Sequence, residues 1–474
     1  MIRPGDPLSR PLIDIARELR DRRASARELV EAAIARHERF GERLHAYSFW
    51  APEQARTVAD AADAAFAAGV SAGPLQGLPV SLKDLFAAAG YPCFAGSSRR
   101  LPANPWEQDG PLVAMLRRQL GVIMGKTHMV EIAFGGTGQK SHHGAPYNPW
   151  DAAAHRSVGG SSSGAGVSLL EGSALLAFGS DTAGSVRIPA SMTGNAGLKV
   201  TIGRWSTRGV VPLSFTFDTP GLLARSVSDL AYGFAALDPA GIDPFKLVAR
   251  GGTRDLSGIR IGIGEAFLWR DCDPGIAETT QEAVDALVRA GAVACEFKLP
   301  EAEAAYDVFL AGGLSAVELR SFLDRELPEW LNQLDLVIAP AVRSAESLSA
   351  LDYLARVARL ADLARAAAAR LDTVDVIASP TLCLTPPLMS EVADADSHLR
   401  INRRIVRNTS WVNYLGLCAV TMPVGRDRAG MPVGLQLTAP ARAEEKLLTI
   451  ALAVERLLGT RADRLGEPPL LAAG

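Results

Sequence analysis

Residues 157–199, SVGGSSSGAGVSLLEGSALLAFGSDTAGSVRIPASMTGNAGLK, constrain the chain more than any other stretch. Two knots of small residues, Gly159–Gly164 and Thr182–Ser185, flank an apolar run rich in alanine and glycine. Glycine allows close backbone approach, and serine adds a hydroxyl on a stem too short to block it. Rows of backbone N–H groups and hydroxyls at sharp turns suit an oxyanion, a phosphate or simply a tight fold. What the rest of the chain supplies decides among the three.

With 474 residues, 48% of them hydrophobic and 21% charged, the chain can bury a large core. A net charge of −3 gives no electrostatic case for nucleic acid or an anionic membrane. The opening MIRPGDPLSR has no apolar leader, and the 164–180 run is interrupted by Glu171 and many small residues. A cytoplasmic protein without a spanning helix is therefore expected. The five scattered cysteines, with no CxxC pair, fit free thiols.

Periodicity places helices over about 25–40 (opened by the capping box Ser25–Glu28), 52–68, 111–120, 275–290, 300–333, 347–371 and 443–458. Strands are expected at 77–86, 122–124, 256–264, 292–295, 336–340 and 374–380, with a hairpin pairing 418–424 and 432–437. Residues 208–222 read as loop. This alternation predicts an α/β fold with a mostly parallel, mixed sheet in one domain. A helical segment (about 8–70) would precede a core (about 75–230) and a C-terminal part of the same sheet (about 255–460).

Three chemistries compete for the small-residue turns. A phosphate loop would need glycine where Leu120 precedes Gly125-Lys126-Thr127, and the pattern fails. An α/β-hydrolase elbow fits Gly160–Gly164 formally, with Ser162 central, yet His398 is the only downstream histidine and no strand leads into the turn. His142 and His143 are adjacent and lack a metal-ligand spacing, so no metal is expected. His37, His45, His128 and His155 read as surface or core-rim residues. The remaining chemistry is serine with lysine as base. Lys83 lies in an apolar strand, where burial disfavours its ammonium form. Alone it reads as an edge-strand lysine paired with Asp84 or another acid. Moving its pKa from about 10.4 to the ~7–8 useful for a general base costs roughly 3–4 kcal/mol, which burial can impose.

Together, Lys83-Asp84, Gly-Lys-Thr…Glu at 125–131, GGSSSGAG at 159–166 and GSDTAGSVRIPAS at 179–191 resemble the amidase signature family. The likeness extends through Gly197-Leu198-Lys199 to PVG…GMPVGLQL at 423–437. It implies a single α/β/α domain around a large, twisted, mixed β-sheet. It also implies a Ser-cisSer-Lys group: Ser185 as nucleophile, Ser161 as the bridging serine after a cis peptide bond, and Lys83 as base. Backbone N–H groups of Thr182, Ala183, Gly184 and Ser185 would receive the oxyanion, and no cofactor is implied. Ala183 stands where the family's familiar DTGGS turn has glycine, and Val200 where GLKPT has proline. Asp181 and Arg187 would brace the turn, and Ser162 and Ser163 would hold the neighbouring loop. Met129, Phe134 and His142 are expected near the substrate, with walls from 300–360 and 379–386. The expected activity is hydrolysis of a small amide or hydrazide by a stand-alone enzyme. Its rivals are the glutaminase subunit of an aminoacyl-tRNA amidotransferase and a catalytically silent binding protein. A homodimer is left open.

Overall fold

The computed structural model describes residues 7–138, 142–252 and 255–472. The first six residues of the opening segment lie outside that range. One sheet of eleven strands runs through the chain. They are β1 (Tyr47–Trp50), β2 (Pro79–Lys83), β3 (Val122–Thr127), β4 (Leu176–Asp181), β5 (Ala196–Lys199) and β6 (Thr219–Ala224), followed by β7 (Arg260–Ile263), β8 (Val293–Glu296), β9 (Val376–Pro380), β10 (Cys418–Arg426) and β11 (Pro432–Ala439). Their order is β1-β3-β2-β4-β6-β5-β10-β11-β9-β7-β8.

The sheet is mixed, but not mostly parallel. Parallel pairing is confined to β3-β2-β4 and to β9-β7-β8. Between them β6, β5, β10 and β11 all pair antiparallel. The expected parallel majority assumed a crossover helix between most strands, whereas β10 and β11 are joined by a short turn and β5 and β6 by a loop.

Most helices stand where periodicity put them. Ala26–Leu44 carries the reciprocal Ser25–Glu28 capping box, and Pro52–Ala67, Pro111–Arg118, Ile276–Arg289, Ala350–Leu371 and Glu444–Leu458 follow. Residues 336–340 are not a strand: the helix Ala339–Arg343 begins there, with Pro340 in its first turn, where a missing N–H costs nothing. The 208–222 stretch is loop only as far as Asp218, because β6 begins at Thr219. The long helix Ala395–Tyr414 was hidden by its polar, arginine-rich first half.

The parallel run brings the ends of β2 and β4 to one edge of the sheet, and antiparallel β6 starts at that edge, with Thr219 opposite Asp181. Chemistry in open α/β sheets gathers at such strand ends. The helix Ser163–Glu171 packs against this edge so closely that a Cβ at Gly164 would lie 2.0 Å from the Ala46 carbonyl oxygen and 2.7 Å from the His128 nitrogen. Among the described residues, no helix is long and apolar enough to cross a membrane.

Because both neighbours of that absent Cβ are backbone, Gly164→Ala is expected to destabilise the fold by at least about 1–3 kcal/mol. Chemical denaturation of the two proteins checks this; equal midpoints and slopes would contradict it.

Candidate active site

Lys83 ends β2 with its side chain wholly inside the protein. Its Nζ donates to Ser161 Oγ at 2.7 Å and to Ser180 Oγ at 2.9 Å. Burial holds the amine down to about 7, opposed only in part by the negative charges of Asp218 and Asp181. The neighbouring Asp84 does not pair with it. That carboxylate lies 3.5 Å from Lys126 Nζ and accepts weakly from the Phe94 and Gly96 amides. Gly125-Lys126-Thr127 is therefore the buried end of β3, and Lys126 serves as a structural counter-charge.

Ser161 follows a cis peptide bond from Gly160. The turn is held by the Gly160 amide donating to the Gly136 carbonyl at 2.8 Å and by the Ser161 carbonyl accepting from the Val130 amide at 3.0 Å. The next residue ties this turn to the second: the Ser162 amide donates to the Ser185 carbonyl at 3.3 Å. Gly179 permits the approach, since a Cβ there would sit 2.8 Å from Ser162 Oγ. Ser162 Oγ donates to the Ser180 carbonyl at 3.4 Å, as a loop-holding hydroxyl would. Among the described residues, Ser163 Oγ has no hydrogen-bond partner.

Ser185 sits between β4 and the helix Arg187–Met192, and 6% of it reaches solvent. Asp181 organises its turn. The carboxylate accepts from the Gly184 amide at 2.7 Å and the Val186 amide at 3.1 Å. It also pairs with Arg187 through Nη2 at 3.0 Å and Nε at 3.1 Å. Burial opposes its charge, but Arg187 wins and holds the carboxyl at about 2. Arg187 bonds further to Gln436 and Asn413. Both residues thus brace the turn. The Gly184 amide, expected among the oxyanion donors, is instead taken by Asp181. The Ala183 carbonyl accepts from Thr409 Oγ1 at 2.6 Å, and Thr182 Oγ1 donates to Asp218 at 2.5 Å.

Met129 is buried in the main core and Phe134 is half-buried against it. His142 lies 3.3 Å from buried Glu131. A cavity of about 570 Å³ opens near this loop, lined by Gly144, Tyr147, His155, Asp335 and Val337 among others. Of the expected wall segments, it takes up the 300–360 region, through Asp335 and Val337. His398 is buried and hydrogen-bonded to Thr137 Oγ1 at 3.1 Å, and among the described residues no hydrogen bond links it to Ser162. His128 is also buried, and loss of water holds its imidazole down to about 3, which corrects its reading as a rim residue.

Sequence reasoning missed Ser180, Asp218, Thr409, Asn413 and Gln436. Ser180 could have been found, as a hydroxyl next to the acid that ends an apolar strand. The others come from distant segments that only the fold brings in.

Removing one member of the buried Asp181–Arg187 pair leaves the other uncompensated. Arg187→Met is expected to cost about 3–5 kcal/mol of stability, far more than the loss of a surface ion pair. Urea denaturation measures it, and a cost under about 1 kcal/mol would contradict the bracing role.

The Amidase family model matches residues 28–448. The chain is 48% identical over 459 residues to 2-amino-5-chloromuconic acid deaminase of Comamonas testosteroni, covering 97% of this chain and 98% of that one. It is 32% identical to a glutamyl-tRNA(Gln) amidotransferase subunit of Acidothermus cellulolyticus, over 97% of both chains. A crystallised amidase superposes with a TM-score of 0.84 at 30% identity, covering 95% of this chain and all of that one. Family model, relatives and fold agree: this protein belongs to the amidase signature family of hydrolases, which act on C–N bonds.

Proposed function

We propose that the protein is a stand-alone hydrolase that cleaves a carboxylic amide or a related C–N acyl bond, such as a hydrazide, through Lys83, Ser161 and Ser185. The observation that carries this reading is the buried Lys83 amine, 2.7 Å from the hydroxyl that follows the cis bond. An uncharged amine keeps two N–H groups and a lone pair. One N–H can stay on Ser180 while the lone pair takes the Ser161 proton.

In the proposed sequence, Ser161 passes its proton to Lys83 and accepts that of Ser185, whose Oγ forms a bond to the substrate carbonyl carbon. The carbonyl π electrons move to oxygen. Amides of Thr182, Ala183 and Ser185 receive that oxyanion, a contribution of about 3 kcal/mol for each well-placed donor. The lysine proton then returns through Ser161 to the leaving nitrogen as the C–N bond breaks. Water repeats the relay on the acyl-enzyme, releasing the acid and restoring Ser185.

Similarity to the deaminase supports a second substrate class, an amino-substituted unsaturated acid that loses ammonia. The imine tautomer of such an acid offers a trigonal carbon bearing nitrogen, which the same base can expose to attack. Likeness to amidotransferase chains keeps glutamine as a third. A single panel separates them: benzamide, a fatty amide, an aryl hydrazide, malonamic acid, 2-aminomuconate and glutamine, each tested on the purified chain alone. Turnover of an amide or hydrazide supports the first reading. Turnover of 2-aminomuconate alone moves the function to the second, and of glutamine alone to the third.

With the best substrate, Lys83→Ala is expected to lower kcat by roughly 10³-fold or more while the circular dichroism spectrum is unchanged. Near-normal kcat in a folded variant would refute the assignment. In the wild type, protonation of the base abolishes its function, so kcat/KM should fall about tenfold per pH unit below a midpoint near 7. A flat profile between pH 5 and 9 would be the contrary result.

A further inference from the structure

We propose that Asp218 is a positioning residue of this site: it fixes the turn carrying Ser185 through the Thr182 hydroxyl, and from that buried place its negative charge biases Lys83 toward the ammonium form. This rests on the reading of Lys83 as base and extends it to a residue from outside both small-residue turns.

Asp218 is the last residue before β6, beside the end of β4, where Thr219 pairs with Asp181. Its Oδ1 accepts from Thr182 Oγ1 at 2.5 Å. Its Oδ2 accepts from the amides of Leu213 and Ser214 at 2.9 and 3.0 Å, closing the 213–218 loop on its own carboxylate. That loop is fastened outward by Glu318, which accepts from Ser214 Oγ at 2.6 Å and Tyr353 Oη at 2.6 Å. The carboxylate therefore joins a rigid wall to the residue at the head of the nucleophile turn.

The charges at this edge sort into pairs. Asp84 faces Lys126, and Asp181 faces Arg187, with Lys199 also acting on it. Of the acids acting on Lys83, Asp181 is thus already neutralised by Arg187, while for Asp218 the opposing cation is Lys83 itself. Burial raises the Asp218 carboxyl to about 6, against its hydrogen bonds and the positive charge of Lys83. Its charge favours LysH⁺, and taking that charge away must make Lys83 easier to deprotonate.

Fluorophosphonate labelling of Ser185, timed across pH 5–10 and read by mass spectrometry, tests this without knowledge of the substrate. For Asp218→Asn, the labelling rate on the plateau is expected to fall about 10–100-fold, as for a disturbed oxyanion site. At the same time its acid limb should move down by about one pH unit. Thr182→Val should be slowed to a similar degree with its limb unmoved, and Thr182→Ser should restore the rate. The double variant Thr182→Val/Asp218→Asn should be no slower than the slower single variant, since one interaction is lost in each. A merely structural Asp218 would slow labelling without moving the limb, and that result overturns the proposal, as does a wild-type rate in Thr182→Val. If Asp218→Asn fails to fold, the valine–serine comparison still decides the hydroxyl's part. Lys83→Ala run alongside separates the two failures. Normal labelling there sinks the reading of Lys83 as base, whereas its loss, with a wild-type Asp218→Asn, sinks this inference alone.

Discussion

A lysine amine whose affinity for a proton burial has lowered is the constraint around which this structure is arranged. In water the ammonium is favoured at neutral pH. Enclosed at the end of β2 with hydroxyls as its nearest partners, it is poised near 7. Hydroxyls suit this position because they can either accept from an ammonium or donate to an amine. A carboxylate in direct contact would pin the charged form and remove the base. The fold keeps two neighbouring carboxylates off Nζ by pairing them with other cations: Asp84 with Lys126, and Asp181 with Arg187.

The same economy explains why so much small-residue sequence surrounds the site. Two turns from different segments must meet closely enough for one residue's amide to reach the other's carbonyl, as Ser162 does with Ser185. Gly179 and Gly164 mark where a side chain would intervene. The turn bearing Ser185 is then tied by its own backbone and side chains to Asp181, Thr409 and Asp218. An oxyanion site gains from such rigidity because its donors need not reorganise during reaction. One consequence is that the Gly184 amide serves the scaffold, donating to Asp181.

Local order was legible where it was local in origin. The Ser25–Glu28 box, the alanine-rich helix and the β10–β11 hairpin follow from periodicity and turn residues alone. The pairing of Lys83 with the serine turns came instead from the resemblance to the amidase signature motifs; alone, Lys83 reads as an edge-strand lysine paired with an acid. What stayed hidden depends on distant segments. The run 336–340 has the composition of a strand, but Pro340 starts a helix there instead. The apolar segment ending at Asp181 gave no period that separates strand from helix, and β4 became visible only beside β2 and β6. Asp218 carries no local mark at all. Its role comes from register across β4 and β6.

The claim that matters most is that Lys83 is uncharged at the pH of catalysis. The chain has seven lysines, so a protein carrying ¹³C at the lysine ε-carbons gives a resolvable set of signals, with Lys83 assigned by its absence in Lys83→Arg. Following that signal from pH 5 to 11 measures the claim directly. A midpoint near 7 is the result this account predicts, and one near 10, where an ordinary lysine titrates, would contradict it.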